Sequence, residues 1–156
     1  IDIPIDIEGY SYQAGNPYVP AGYRGQCTWF VWGRVHEVYD IRIPANLGDG
    51  GQWYDSVLND SRFTVGDEPA IGSIGVFGGS QFGHVAFVEN YDPDTKVVTF
   101  SEGNIGNPMS GTAGMVPYAR THYAELVREG NNWTLSNTRW DATLIGFIYI
   151  DPEKWE

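Results

Sequence analysis

The chain has 156 residues and a mass of 17.4 kDa, which suits one compact domain and is too short for two ordinary ones. Its formal net charge is -11 and its nine Lys and Arg residues are scattered, so an electrostatic grip on the phosphate backbone of nucleic acids is disfavoured. No apolar run approaches the roughly 20 residues that a membrane-spanning helix needs.

The chain begins with alternating residues, Ile at each odd position from Ile1 to Ile7 and polar residues or proline between them. This is the period of a strand with one wet face, but Pro4 restricts it to an edge strand or an extended linker. We therefore expect residues 1–9 to form one of these two. Because the first residue is Ile1 rather than Met, we also expect the chain to be a processed product or a fragment of a larger modular protein.

The first helical pattern begins at Cys27. Apolar residues recur at helical spacings as far as Tyr39, and Pro44 follows soon after the pattern ends. A second, short helix is predicted over residues 51–58, where apolar residues follow a Gly-rich start.

After Pro69 the sequence changes to short runs rich in Val, Ile and Phe, separated by turn residues, as is typical of strands. The predicted strands cover residues 71–77, 83–91, 96–102 and 143–150. An Asp-Pro turn at residues 92–95 joins the second and third of them into a hairpin. In the less legible stretch 103–141 we predict a short helix near residues 118–128. Helices precede strands, which favours an α+β domain with an antiparallel sheet.

Cys27 is the only cysteine in the chain, so it cannot form an internal disulfide. It lies where a loop turns into the first predicted helix, and the first turn of a helix lowers the pKa of a thiol through its unpaired N–H groups and positive dipole end. The preceding Gly25 and Gln26 are not Ser, Thr, Asp or Asn, so no side-chain cap competes for those N–H groups. Cys27 is therefore a candidate nucleophile, and its alternative is a small buried hydrophobe.

Of the three histidines, His84 has the best context for a partner base, because it opens a predicted strand directly after Gly83. If the hairpin closes over residues 91–95, antiparallel pairing sets His84 opposite Glu102, with Cβ atoms about 4.5 to 5.5 Å apart. The carboxylate would then orient the imidazole, as the third member of a nucleophile-base-orienter set does. Asn104 is a second candidate orienter. The alternative interpretation of His84 is a polar residue at the end of a strand whose hydrogen bonds are satisfied and which has no catalytic role.

Three short motifs occur in order along the chain: Gly25-Gln26-Cys27-Thr28-Trp29-Phe30, Gly83-His84-Val85-Ala86 and Ser101-Glu102-Gly103-Asn104. Together they resemble CHAP domains, the cysteine- and histidine-dependent amidohydrolases/peptidases related to the NlpC/P60 and papain-like hydrolases. The resemblance implies a papain-like α+β fold, with N-terminal helices packed on an antiparallel sheet and residues 1–156 forming one catalytic domain.

The resemblance also implies roles for individual residues. Cys27 would be the nucleophile, His84 the general base and then acid, and Glu102 the orienter, with Asn104 in support. Gln26 resembles the residue that helps to hold the oxyanion in papain-like sites. Among the aromatic residues near the motifs, three are candidates to line a substrate groove and are equally candidates for core packing: Trp29, Trp53 and Phe82.

The activity implied by the resemblance is hydrolysis of bacterial peptidoglycan without a cofactor. Two bonds remain open, the amide between the glycan lactyl group and L-Ala, and a peptide bond in the stem or cross-bridge. The alternatives are a non-catalytic wall-binding module of the same fold and a cytosolic small-molecule amidase. Some relatives bind calcium through an aspartate-rich loop before the cysteine, but residues 9–26 contain no Asp or Glu, so no metal site is expected.

The implied place of action is the cell wall, for an enzyme that is exported by a bacterium or encoded by a phage. Gram-positive walls are polyanionic, so a domain with a net charge of -11 gains no long-range attraction to them. We therefore expect other domains of the parent chain, either wall-binding or lytic, to assist it.

Overall fold

The computed structural model describes residues 1–79, 81–103, 118–129, 132–135 and 143–155. In these ranges the helices are α1 (Cys27–Tyr39) and α2 (Trp53–Ser56), with 3-10 turns at Tyr10–Tyr12, Gly50–Gln52 and Pro152–Lys154. The strands are β1 (Phe63–Gly66), β2 (Ile74–Gly78), β3 (His84–Asp92), β4 (Val97–Glu102), β5 (Tyr118–Glu129), β6 (Asn132–Leu135) and β7 (Thr143–Ile150). No helix in the described part of the chain is long and apolar enough to cross a membrane.

The described strands form a seven-stranded sheet in the order β1-β7-β2-β3-β4-β5-β6. Every neighbouring pair is antiparallel. Helix α1 packs against β3 and β4, near the middle of the sheet. The predicted α+β arrangement, with N-terminal helices on an antiparallel sheet, is confirmed.

Helix α1 begins and ends as its sequence predicts. Gln26 is its N-cap, in an extended conformation and without a side-chain cap hydrogen bond. Asp40 ends the helix in the left-handed region, with φ 57° and ψ 37°, and its N–H donates to the carbonyl of His36. The first turns of α1 are buried, including Phe30 and Val31, which are both fully inaccessible.

The sheet buries both of its faces, and β3 supplies side chains to each. Val85 and Phe87 pack in the cluster that includes the helix α1 side chains. The alternate residues Ala86 and Val88 pack in a second cluster with Phe100. Since full burial of such a side chain stabilises the fold by about 1.5–3 kcal/mol, this two-sided burial holds β3 firmly in place.

A buried ion pair joins α1 to β3. Arg34, which is 1% exposed, donates from Nε and Nη2 to the two carboxylate oxygens of Glu89, at 2.8 and 2.7 Å. Its Nη1 also donates to Glu37 at 2.7 Å, and Nη2 donates to the carbonyl of Ile3 at 2.7 Å. Ser101 on β4 donates a further hydrogen bond to Glu89. Helix and sheet are therefore joined by charge as well as by apolar packing.

The predicted register of the β3–β4 hairpin is wrong by two residues. Val88 pairs with Phe100 rather than with Val98, because the ladder extends to Asp92 and Val97 and the turn is tighter than the predicted one. A bulge at Glu89 then shifts the pairing by a further residue. A slip of two residues leaves the alternation of faces unchanged, so the side chains expected on one face remain together.

The helix predicted near residues 118–128 is also wrong, because β5 occupies Tyr118–Glu129 and pairs with β4. Without β5, the edge of β4 that faces away from β3 would carry unpaired N–H and C=O groups, and this demand overrides local helix preference. Residues 1–9 form no strand, so the edge-strand interpretation is wrong. Strand β1, which pairs with β7, was not predicted.

We predict that Arg34→Met lowers the free energy of unfolding by about 3–5 kcal/mol, because it leaves the Glu89 carboxylate buried and unpaired. Urea denaturation followed by tryptophan fluorescence measures the loss. The control is Arg62→Met, which breaks an exposed pair with Asp60 and should cost less than about 1 kcal/mol. Equal losses for the two variants would contradict a structural role for the buried pair.

Candidate active site

Three elements meet at one point of the fold. Cys27 is the first residue of α1, His84 is the first residue of β3 and Glu102 is the last residue of β4. Because α1 packs on β3 and β4, its first turn lies against these two strand ends. Three groups that are distant in sequence therefore come together.

The start of β3 is fixed by a close contact between two glycines. Gly83 has a φ of 65°, and a Cβ there would lie 2.3 Å from Cα of Gly51 and 2.6 Å from the carbonyl oxygen of Phe77. The N–H of Gly51 donates to the carbonyl of Phe82 at 3.0 Å. Only glycine fits at position 83, and the resulting contact sets where His84 enters the sheet.

The end of β4 lies directly against the helix start. A Cβ on Gly103 would lie 2.7 Å from Cβ of Phe30 and 3.0 Å from the carbonyl oxygen of Gln26. A larger residue would push β4 away from α1. The glycine therefore allows Glu102 to lie within reach of the first turn of the helix.

His84 and Glu102 are joined by a hydrogen bond between Nε2 and Oε2 at 3.0 Å. The carboxylate is buried, since Glu102 is only 2% exposed. Because Glu102 occupies Nε2, the remaining ring nitrogen of His84, Nδ1, is the one available to the hydrogen bond that the imidazole makes with Cys27. The contact expected between His84 and Glu102 thus exists, although it runs diagonally across the pair of strands rather than straight across.

The surroundings of Cys27 stabilise its thiolate. Burial by itself would raise the pKa of the thiol, but a hydrogen bond to His84 and the charge of that imidazole outweigh it and lower the pKa. The backbone N–H groups of Val85 and Thr28 lower it further. Thr28 lies in the first turn of α1, where helical N–H groups have no partner within the helix.

The same interactions keep His84 protonated. Burial lowers the pKa of its imidazole, but hydrogen bonds to Cys27 and Glu102, together with the charges of both, raise it to about 9. The two shifts have opposite signs, so a thiolate and an imidazolium coexist from the lowered pKa of Cys27 up to about pH 9. A pair of this kind holds a nucleophile and a proton donor side by side.

Other residues predicted for the site differ in their outcome. Trp29 and Trp53 are 2% and 0% exposed, and each indole N–H donates to a backbone carbonyl, so the expectation that they line a groove is wrong. Both are core residues. Phe82, two residues before His84 in the chain, is 59% exposed and remains a candidate. Asn104 lies outside the described residues. The described ranges contain no group of three or more His, Cys, Asp or Glu side chains suited to a metal ion.

Sequence reasoning missed two residues that bear on the site. Arg34 falls three residues after Val31 and directly before Val35, within the apolar stripe of α1, and a charged residue in such a stripe signals a buried partner. Tyr18 is 6% exposed, and the charge of the Cys27 thiolate contributes to its raised pKa after burial. Nothing in the local sequence around Tyr18 indicated this.

Comparison with known proteins agrees with the geometry. The sequence model of the CHAP domain family matches residues 17–104. An N-acetylmuramoyl-L-alanine amidase domain-containing protein of Staphylococcus aureus is 34% identical over an alignment of 87 residues, which covers 52% of this chain and 14% of that protein. The N-acetylmuramoyl-L-alanine amidase sle1 of Staphylococcus epidermidis is 32% identical over 74 residues, 47% of this chain and 22% of that protein.

A solved structure is also similar in part. The crystal structure of an N-acetylmuramoyl-L-alanine amidase from Staphylococcus aureus shares 31% identity, with a TM-score of 0.47, over 52% of this chain and 24% of that one. The chain therefore spans less than a quarter of the length of each of these three proteins.

We predict that iodoacetamide alkylates Cys27 with a midpoint below the ordinary thiol pKa of about 8.5, because the imidazolium stabilises the thiolate. His84→Ala removes both the hydrogen bond and the charge of the imidazole, so the midpoint should rise. Rates of alkylation between pH 5 and pH 10, followed by intact mass, measure the shift; the chain has no other cysteine. An unchanged midpoint would show that His84 does not control the thiol.

Proposed function

The chain belongs to the CHAP domain family, and from that premise we propose that it hydrolyses an amide bond of bacterial peptidoglycan through a thioacyl intermediate on Cys27. The observation that carries the proposal is the hydrogen-bonded series of Cys27, His84 and Glu102. All three lie within the segment that matches the family. A buried carboxylate, an imidazole and a thiol in this order form the arrangement that activates a cysteine nucleophile.

The proposed reaction begins when Sγ of Cys27 attacks the carbonyl carbon of the amide. The tetrahedral intermediate collapses as the C–N bond breaks, and the His84 imidazolium gives its proton to the leaving amine. Neutral His84 then takes a proton from water, whose oxygen attacks the thioacyl carbon. The carboxylic acid leaves, and Cys27 returns to the thiolate beside a protonated His84.

Glu102 orients the His84 imidazole during this cycle. Its carboxylate accepts the Nε2 hydrogen bond, so the proton that moves during the reaction is the one on Nδ1, facing the sulfur. The buried negative charge also stabilises the imidazolium in the resting state. We assign the oxyanion to Gln26 together with N–H groups at the start of α1, since Gln26 is the N-cap of that helix.

The bond we propose is the amide between the lactyl group of N-acetylmuramic acid and L-Ala. Two relatives support it by name, an N-acetylmuramoyl-L-alanine amidase domain-containing protein of Staphylococcus aureus and the N-acetylmuramoyl-L-alanine amidase sle1 of Staphylococcus epidermidis. Phe82 supports a surface-bound substrate, because its exposed ring lies two residues before His84 and can pack against a sugar or stem peptide.

We further propose that the whole protein acts at the cell wall with the help of other domains. The relatives are much longer than the matched segment, and a relative from Staphylococcus aureus is named a probable autolysin. The charge of -11 opposes attraction to an anionic wall, so anchoring falls to another part of the protein.

Digestion of purified Gram-positive cell walls tests the proposal. The wild-type chain should release new amino groups, and Cys27→Ala should lower the rate at least about a thousandfold because it removes the nucleophile. Arg62→Met, in an exposed ion pair, should retain activity. Mass spectrometry of the products should show a free amino terminus on L-Ala and an intact muramic acid carboxylate.

The same digests give the contrary outcomes. New termini inside the stem or cross-bridge would identify an endopeptidase, and absence of release by the wild type would favour a wall-binding module. Turnover of small amides with inert walls would favour a small-molecule amidase. Strong retention of the chain on sedimented walls at low salt would contradict the need for separate anchoring domains.

A further inference from the structure

The hydroxyl group of Tyr18 is buried without a hydrogen-bond partner among the residues that the structure describes. The whole residue is only 6% exposed. Most buried polar groups are hydrogen-bonded, and an unpaired one lowers the stability of the fold, so each exception calls for an explanation. The proposed catalytic series does not use this hydroxyl.

Tyr18 is held against the helix that begins with Cys27. Asn16, which is 1% exposed, accepts a hydrogen bond from the N–H of Tyr18 at 2.9 Å. The side-chain nitrogen of Asn16 donates to the carbonyl of Trp29, in the first turn of α1, at 3.0 Å. The N–H of Tyr23 donates to the carbonyl of Tyr18 at 2.9 Å. The tyrosine is therefore fixed relative to the start of α1 from both sides.

Tyr18 and Cys27 belong to the same buried cluster. Burial and then the charge of the Cys27 thiolate raise the pKa of Tyr18 to about 12. The phenol consequently keeps its proton over the whole range in which the thiolate and imidazolium coexist. At those pH values it is a neutral O–H donor close to a negative charge.

We propose that Tyr18 donates its hydroxyl hydrogen to Sγ of Cys27 when the thiolate forms. The sulfur is the fitting acceptor because the hydroxyl oxygen is enclosed by protein, beyond the reach of a substrate carbonyl. A hydrogen bond made to the charged form of a group favours that form. This inference rests on the proposed role of Cys27 as nucleophile, and it adds a donor to those supplied by His84, Val85 and Thr28.

The test is Tyr18→Phe, which removes the hydroxyl and keeps the ring. The midpoint of Cys27 alkylation by iodoacetamide should rise by about one pH unit, so that alkylation well below the midpoint becomes about tenfold slower. The melting temperature, measured at a pH below the alkylation midpoint where Cys27 is a neutral thiol, should stay unchanged or rise, because the hydroxyl that is removed has no partner there.

Tyr39→Phe is the matched control. The Tyr39 hydroxyl donates to the carbonyl of Gly72 at 3.0 Å, at the end of α1 opposite Cys27. Its removal should lower the melting temperature and leave the alkylation profile unchanged.

Two results would overturn the inference. An unchanged alkylation midpoint in Tyr18→Phe would show that the hydroxyl does not act on the sulfur. A fall in melting temperature as large as that of Tyr39→Phe, at a pH below the alkylation midpoint, would show that the hydroxyl has a structural partner instead. Alkylation requires no wall substrate, so the two proposals are tested separately. Failure of the chain to digest walls would refute the proposed function, and the effect of Tyr18→Phe on the alkylation midpoint would still test the role of the hydroxyl.

Discussion

The buried pair of Arg34 and Glu89 fixes the two elements on which the site depends. Helix α1 carries Cys27 at its first residue and Arg34 about two turns later, while β3 carries His84 at its first residue and Glu89 at a bulge. Two parallel N–H···O bonds between a guanidinium and a carboxylate restrict rotation and sliding of one element along the other. Apolar packing alone is less directional. The ion pair therefore helps to fix the position of the Cys27 thiol relative to the His84 imidazole.

The charged states of Cys27 and His84 depend on the contact between their side chains. A buried thiol and a buried imidazole would each be neutral if they stood apart, because burial opposes both charges. Placed in contact, each stabilises the other, and Glu102 adds a second negative neighbour to the ring. The acidic surface of the chain, with a net charge of -11, takes no part in this arrangement. The net charge affects the attraction of the domain to its substrate, and the reactivity of the thiol does not depend on it.

Local signals predicted the site better than they predicted the sheet. The start of α1 could be predicted because the apolar spacing and the absence of a cap are properties of neighbouring residues. The register of the β3–β4 hairpin was missed, because the turn is tighter than the predicted one and β3 carries a bulge at Glu89. The contact between His84 and Glu102 survived that error only because a slip of two residues preserves the face.

Elements that depend on distant partners were missed altogether. The strand at Tyr118–Glu129 exists to pair with β4, and the enclosure of the Tyr18 hydroxyl arises only when its turn packs on α1. The burial of Trp29 and Trp53 likewise follows from packing, since an aromatic residue near a motif serves a groove or a core equally well by sequence.

The central claim is that Cys27 and His84 form a thiolate-imidazolium pair, and NMR of ¹⁵N-labelled histidine tests it most directly. The three histidine signals can be assigned by comparison with His84→Ala. We expect the His84 ring to stay protonated on both nitrogens up to about pH 9, and to lose a proton at lower pH in Cys27→Ser, where no thiolate is present. Loss of the His84 proton near the ordinary value of about 6.5 in the wild type would contradict the account.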